Sequence, residues 1–175
     1  MQFYIEISRE CNYIVRNLFL VLAPIKPEVG NDMSSDDQLL LDNQVCFPLY
    51  SAANAMVRAY RPLLDALDLT YSQYLVMMVL WEQDGASVKD IGSRLHLDSG
   101  TLTPLLKRLE GKGFVERSRC EHDERVRVLK LTESGAELKT QARSVPDAMK
   151  CKLTLELDEL LALKTLCEKV LEKFG

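Results

Sequence analysis

The sequence predicts a mainly α chain with one small β-hairpin, and three observations carry that prediction. Apolar residues recur at helical spacing from about Asn43 onward. Capping residues stand ahead of successive runs, at Thr70, Ser87, Asp98 and Thr132. Ahead of the last of these caps lie two β-rich runs, Phe114 to Ser118 and Val126 to Leu131, joined by the charged stretch RCEHDER.

The first helix is expected from about Asn43 to Leu67, with Pro48 in its opening turns, where a missing N–H costs least. Thr70-Tyr-Ser-Gln73 has capping-box spacing and opens a second helix, YLVMMVLW, apolar almost all round and therefore buried. Ser87-Val-Lys-Asp90 is another such cap, opening a short helix with Val88, Ile91 and Leu95 on one face. Asp98-Ser99 begins the most informative helix, DSGTLTPLLKRLEGKG. Its Leu102, Leu105, Leu106 and Leu109 form a narrow apolar stripe, while Gly100, Thr101, Thr103, Pro104, Lys107 and Arg108 occupy the opposite side. Gly111 and Gly113 end it. Thr132 caps a fifth helix that must kink or end near Pro146. Leu157, Leu160, Leu161, Leu166, Val170 and Phe174 stripe a last amphipathic helix.

Helix, turn, helix, then a hairpin charged at its tip is the winged helix-turn-helix pattern. Apolar helices at both chain ends would form a dimerisation platform around it, although packing within one chain explains their periodicity equally well. By role, residues 1–37 read as an N-terminal extension and 38–68 as a first dimerisation helix. Residues 69–132 form the winged DNA-binding unit, and 133–175 the C-terminal dimerisation helices.

Bulk properties narrow the class. The 175 residues are 47% hydrophobic and 27% charged, an ordinary soluble composition able to bury a core. The net charge of −4 does not advertise a nucleic-acid binder, so any DNA-binding surface must be local. From Lys89 to Lys130 there are 10 Lys+Arg against 7 Asp+Glu, a surplus of 3 within an acidic chain. Five cysteines (11, 46, 120, 151 and 167) without a C-x-x-C argue for reduced cytoplasmic thiols over a secreted disulfide framework. Cys120-x-His122 could be half a metal site; a loop cysteine beside an exposed histidine is the plainer reading, so no metal and no cofactor is assigned. Tyr13 to Ile25 is apolar but too short to span a bilayer and is interrupted by Arg16. Glu6 and Glu10 precede it and no clean cleavage site follows, against a signal peptide. Met33 opens an ordinary polar amino terminus, MSSDDQ, so the native chain is expected to start there, with residues 1–32 as excess or a poorly ordered extension.

On the DNA-reading helix, Ser99, Thr101 and Thr103 stand toward the N-terminal end that enters a major groove. Threonine hydroxyls can bond bases or phosphates, and their methyls can meet thymine. Lys107 and Arg108 would serve phosphates, and Arg108 could read guanine. The wing carries Arg119, Arg125 and Arg127, with Asp123 placed to pin Arg125. The competing reading is a polar face that merely meets water. A dimer would set two such helices roughly 34 Å apart on a pseudo-palindromic operator of double-stranded DNA.

The segment LDNQVCFPLYSAANAMVRAYRPLL holds a different chemistry. At roughly 100° per residue, Tyr50 and Tyr60 both fall within about 40° of Cys46. Tyr60 lies about 21 Å further along the helix, too far to touch its own Cys46, so a partner helix running the other way would have to bring it there. An inert core cysteine is the alternative.

The core VKDIGSRLHLDSGTLTPLLKRLEGKGFVERSRCEHDERVRVLKLTESG resembles the winged core of MarR-type repressors, down to the wing D-x-R (Asp123, Arg125) and Leu129-x-Leu131-Thr132. LDNQVCFPLYSA, YRPLLDALDLTYSQYLVMMVLWE and LDSGTLTPLLKRLE are similar to the organic-hydroperoxide-sensing branch of that family, usually called OhrR, from about Gln38 to Gly135. The resemblance implies that Cys46 is the peroxide-reactive thiol and that Tyr60 and Tyr71 hydrogen-bond its sulfur across a homodimer. Cys151 stands where the two-cysteine type carries its resolving residue, with Cys120 and Cys167 as lesser rivals. Pro48 departs from the small residue relatives often have there.

What the resemblance implies is a cytoplasmic repressor, not an enzyme or a membrane protein. It would leave its operator when an organic hydroperoxide turns the Cys46 thiolate into a sulfenic acid that condenses with a second thiol. Two other classes compete. A thiol peroxidase would use the same cysteines, but the chain lacks the strand-helix alternation of thioredoxin-like folds. A MarR-type repressor released by a small aromatic ligand would make the thiol incidental.

Overall fold

The computed structural model describes residues 36–119 and 127–174. They fall into two units, one of residues 36–59 with 150–154, the other of 60–149 with 155–174. Residues 1–32, Met33, Cys11, Cys120, His122, Asp123 and Arg125 lie outside the described residues.

In the first unit two 3-10 turns, Asp37–Leu39 and Leu41–Asn43, lead into α1, Cys46–Asp65, which begins later than its periodicity predicts. The cause is local. The Asn43 amide donates to the Asp37 carbonyl at 2.8 Å, and the Gln44 amide reaches the carbonyls of Gln38 and Leu40, so this segment wraps on itself before the helix starts. Pro48 is the third residue of α1, where its missing N–H has no intrahelical duty. Pro62 lies in the interior, a position that costs about 3 kcal/mol or more in an isolated helix. Leu64 and Leu67 just beyond it are buried in the core, and that burial offsets the lost bond.

The second unit is built on α2, Tyr71–Glu82. Its capping box is complete, Thr70 accepting from the Gln73 N–H and the Gln73 side chain accepting from the Thr70 N–H. Tyr74, Val76, Met77, Val79 and Leu80 are buried as the apolar run predicts, but Met78 is 38% exposed, so the helix is not covered all round. Around it pack α3 (Val88–Leu95), α4 (Ser99–Gly111), α5 (Glu133–Ala142) and an antiparallel hairpin of β1 (Val115–Arg119) and β2 (Arg127–Leu131). The hairpin register pairs Val115 with Leu131 and Arg119 with Arg127. Ala86 accepts from Leu129 N–H at 2.9 Å and Ser87 bridges Val128, fastening the turn before α3 to the sheet. Here the expected second capping box is only half formed. Ser87 accepts from the Asp90 N–H, but the Asp90 carboxylate takes the Ser87 hydroxyl proton at 2.7 Å instead of reaching back to the Ser87 backbone.

Among the described residues, α1, α3 and α4 end in the same paired hydrogen bonds, with one left-handed residue after the last turn. Leu69, Leu97 and Phe114 donate their N–H groups to Leu64, Gly92 and Leu109, across Asp68 (φ 51°), His96 (φ 52°) and Gly113 (φ 74°). The stop at Gly113 follows the sequence reading; Asp68 and His96 hold a conformation that glycine adopts at less cost.

After α5 the chain starts a new helix, α6 (Val145–Leu153), so the fifth helix ends before Pro146, which sits in the first turn of α6. The last helix, α7 (Leu157–Phe174), has no buried residue: Leu157, Leu161, Leu166 and Phe174 are 62%, 56%, 60% and 88% exposed. Among the described residues, this stripe stays largely exposed.

Gly135 sits where α5 begins, and a Cβ there would lie 2.0 Å from the Phe114 carbonyl oxygen. Gly135→Ala is expected to destabilise the chain by about 1–3 kcal/mol or more, as overpacking does. His96→Gly, which relieves a left-handed non-glycine, is expected to stabilise it by about 1 kcal/mol. Urea denaturation midpoints of the two variants should move in opposite directions; a shift the same way in both would contradict the backbone argument.

Candidate nucleic-acid interface and phenol site

The second helix of the helix-turn-helix is α4, and its two faces divide as the spacing predicts. Leu102, Leu106 and Leu109 are buried, with Leu105 packed against the core at the edge. Truncating any of these three buried leucines would cost roughly 2–5 kcal/mol, so the helix cannot roll to show another face. Ser99, Thr101, Lys107 and Arg108 are exposed, and Thr103 is half-buried.

Asp98 caps α4 and does more than cap. One carboxylate oxygen accepts the Thr101 N–H at 2.9 Å; the other accepts the Thr101 hydroxyl proton at 2.8 Å. Those donors hold the Asp98 carboxyl below its ordinary range, so it is charged at neutral pH. The Thr103 hydroxyl in turn donates to the Ser99 carbonyl at 2.7 Å.

The cations of this region sort into two groups. Arg94 pairs with Glu82 between α3 and α2, and Arg117 pairs with Glu110 at 2.9 Å between β1 and α4. Lys112, just after α4, donates to the carbonyl and carboxylate of Asp68 and lies 3.5 Å from Gln73 Oε1. These hold the unit together. Lys107 and Arg108 on α4, and Arg127 at the start of β2, make no ion pair among the described residues. The Lys112 clasp could not be read from sequence, since its partners lie 44 and 39 positions away.

The thiol residues are spread along the helices. Cys46 is the first residue of α1 and exposed, Cys151 is exposed on α6, and Cys167 on α7 is half-buried; all three are free thiols. Tyr60, on the C-terminal half of α1, meets Tyr71, the first residue of α2, with ring centroids 4.8 Å apart. Tyr74 joins them, 6.2 Å from Tyr60, and itself meets Trp81 edge-on at 6.1 Å. Tyr74 was missed by sequence reasoning, although its place one helical turn after Tyr71 was the available signal. The Tyr60 and Tyr71 hydroxyls have no hydrogen-bond partner among the described residues.

Burial pushes the Tyr60, Tyr71 and Tyr74 phenols above their ordinary pKa of 10.0, and for Tyr60 its neighbours Tyr71 and Tyr74 add to that. They therefore remain protonated donors throughout the neutral range. The stability linked to these phenols is whole below pH 10 and is lost as pH rises through their folded values. In an ultraviolet titration, three of the six tyrosines are expected to ionise later in the folded chain than in urea. Coincident folded and unfolded curves would refute the assignment.

Similar proteins agree with this geometry. Residues 69–126 match the MarR family model. The HTH-type transcriptional regulator TtmR of Methylorubrum extorquens is 52% identical over 141 residues, covering 81% of this chain and 72% of that protein. The organic hydroperoxide resistance transcriptional regulator of Bacillus subtilis is 44% identical over 136 residues, covering 78% and 92%. Among solved structures, reduced AbfR bound to DNA, from Staphylococcus epidermidis, superposes with a TM-score of 0.64 at 36% identity, covering 80% of this chain and 97% of that one.

Proposed function

The chain belongs to the MarR family of transcriptional regulators, and we propose that it is a homodimeric, DNA-binding repressor whose affinity for its operator is lowered when an organic hydroperoxide oxidises Cys46. The observation that carries this reading is the Tyr60–Tyr71 pair: two neutral phenols in ring contact, each with a hydroxyl that has no partner among the described residues. Such a pair is a ready donor site for a sulfur anion, and the first residue of a twenty-residue helix adds a positive dipole end at Cys46. Since α1 is unbroken from Cys46 to Asp65, a protomer's own Tyr60 stands about 21 Å along the helix from its thiol. A second copy must bring the phenols to it. The exposed stripe of α7 and the exposed Leu39, Val45 and Phe47 supply apolar surface for that association.

In this reading Ser99, Thr101, Thr103, Lys107, Arg108 and Arg127 contact double-stranded DNA, with Asp123 and Arg125 at the wing tip. Peroxide leaves an oxygen on the Cys46 sulfur and departs as the alcohol. The sulfenic acid then condenses with Cys151 of the partner subunit, losing water and forming the disulfide. Cys120, Cys167 or a small thiol are the rival resolving groups. To pass from mostly bound to mostly free, oxidation must weaken DNA binding by about 10²-fold, near 3 kcal/mol. A recognition-helix spacing that no longer matches one duplex turn would supply that.

A second reading, a repressor released by a small aromatic ligand, is favoured by one feature. A cleft of about 220 Å³ is lined by Tyr74, Met78, Trp81 and Pro146 and flanked by Lys139 and Arg143. Release by such a ligand that persists in Cys46→Ser would select it.

The deciding measurement is gel shift combined with non-reducing electrophoresis, with one equivalent of an alkyl hydroperoxide. Cys46→Ser is expected to bind DNA and ignore peroxide, and Cys151→Ser to be oxidised yet release DNA poorly unless a small thiol is added. Tyr60→Phe and Tyr71→Phe should each slow thiol oxidation about ten-fold, the worth of one hydrogen bond to a charged group. Peroxide-driven release from Cys46→Ser would overturn the redox reading.

A further inference from the structure

We propose that Asp98 sets the base preference of α4, by fixing Thr101 as a hydrogen-bond acceptor and a methyl group toward DNA. The inference rests on the reading of α4 as the major-groove helix, and it goes further by naming what that helix selects.

A free threonine hydroxyl is both donor and acceptor, and rotates to suit whatever it meets. On α4 that freedom is gone. The Asp98 carboxylate grips Thr101 at two points, N–H at 2.9 Å and hydroxyl at 2.8 Å, which spends the hydroxyl proton and fixes the side-chain rotamer. Thr103 has spent its own proton on the Ser99 carbonyl. Pro104 has no N–H to offer the carbonyl four residues back, that of Gly100. Beyond the Ser99 hydroxyl, what remains along the first turn and a half is a run of acceptor lone pairs and two methyl groups. The Asp98 carboxylate, exposed and charged, adds an acceptor at the same end.

Set against the major-groove code, such a surface is selective. The N7 and O6 of guanine are both acceptors, and an acceptor facing them gains nothing. Adenine N6 and cytosine N4 both present amino donors, but only thymine adds a methyl group, so an A·T or T·A pair alone satisfies the lone pair and the methyl together. The donors that would read guanine, Lys107 and Arg108, stand two turns further along the helix. Asp98 thus acts chiefly as a positioning residue: beyond its own acceptor at this end, it decides what Thr101 can read.

The test is selection from a random double-stranded DNA library by the reduced full chain, comparing wild type with Asp98→Ser and Asp98→Asn. Both replacements can still cap the helix. Neither supplies a second acceptor oxygen for the Thr101 hydroxyl, and circular dichroism would confirm that they fold. Wild type is expected to select A·T or T·A at one position in each half-site. Uracil in place of thymine there should weaken binding about four-fold, the worth of one buried methyl. Both variants should admit guanine at that position while the rest of the site is unchanged. Variant profiles identical to wild type, or a wild-type site indifferent to base at every half-site position, would overturn the role of Asp98. If wild type enriched no duplex at all, the DNA-reading assignment of α4 would fall, and this proposal with it.

Discussion

Burial of most of α2 is the constraint from which the other elements take their places. Val76, Met77 and Leu80 are essentially inaccessible, while Ser72 and Met78 stay exposed, so the neighbours cover most of the helix and leave part of its surface to water. Those neighbours are α3, α4, α5 and β2. Polar groups then lock the arrangement: the Trp81 indole donates to the Gly135 carbonyl at 2.8 Å, and Lys139 donates to the Trp81 carbonyl at 2.7 Å. A helix carrying one polar face would leave that quadrant open, and α4 could then settle in more than one roll angle.

In the proposed reading a fixed roll angle matters, because the outer face of α4 would act by hydrogen-bond polarity as much as by charge. The acidic chain carries its cations in two classes. Arg94, Arg117 and Lys112 are consumed in tying elements together, and Lys107, Arg108 and Arg127 are left facing outward. Net charge over the window hides this distinction, since a paired and an unpaired arginine count the same. Phosphate attraction would come from the second class and from the wing tip, and sequence preference from the turn that Asp98 organises.

In the proposed reading, the phenol site and the DNA-reading helix share a short piece of structure. Tyr71 opens α2, Asp68 and Thr70 form the turn before it, and Lys112 at the end of α4 is fastened to that same turn. In the proposed reading, a displacement of the phenols would bear directly on the anchor of α4. Asp68 accepts the strain of a left-handed backbone at that junction, and its carbonyl and carboxylate both serve Lys112.

Periodicity and capping chemistry determined the elements by themselves. The all-apolar α2, the leucine stripe of α4, the stop at Gly113 and the break before Pro146 are local consequences of residue type, and each could be placed from its own neighbours. The family signature around Cys46 likewise lay within one contiguous segment. Only tertiary structure decided which cations are spent, because the partners of Arg94, Arg117 and Lys112 are distant in sequence. The same holds for the 4.8 Å meeting of Tyr60 with Tyr71, which needs a chain reversal between two helices. It holds also for Gly135, a routine glycine in sequence whose missing Cβ makes room for the Phe114 carbonyl. A side chain's propensity is a property of a few neighbouring residues, whereas its partners are chosen by the packing of the whole unit.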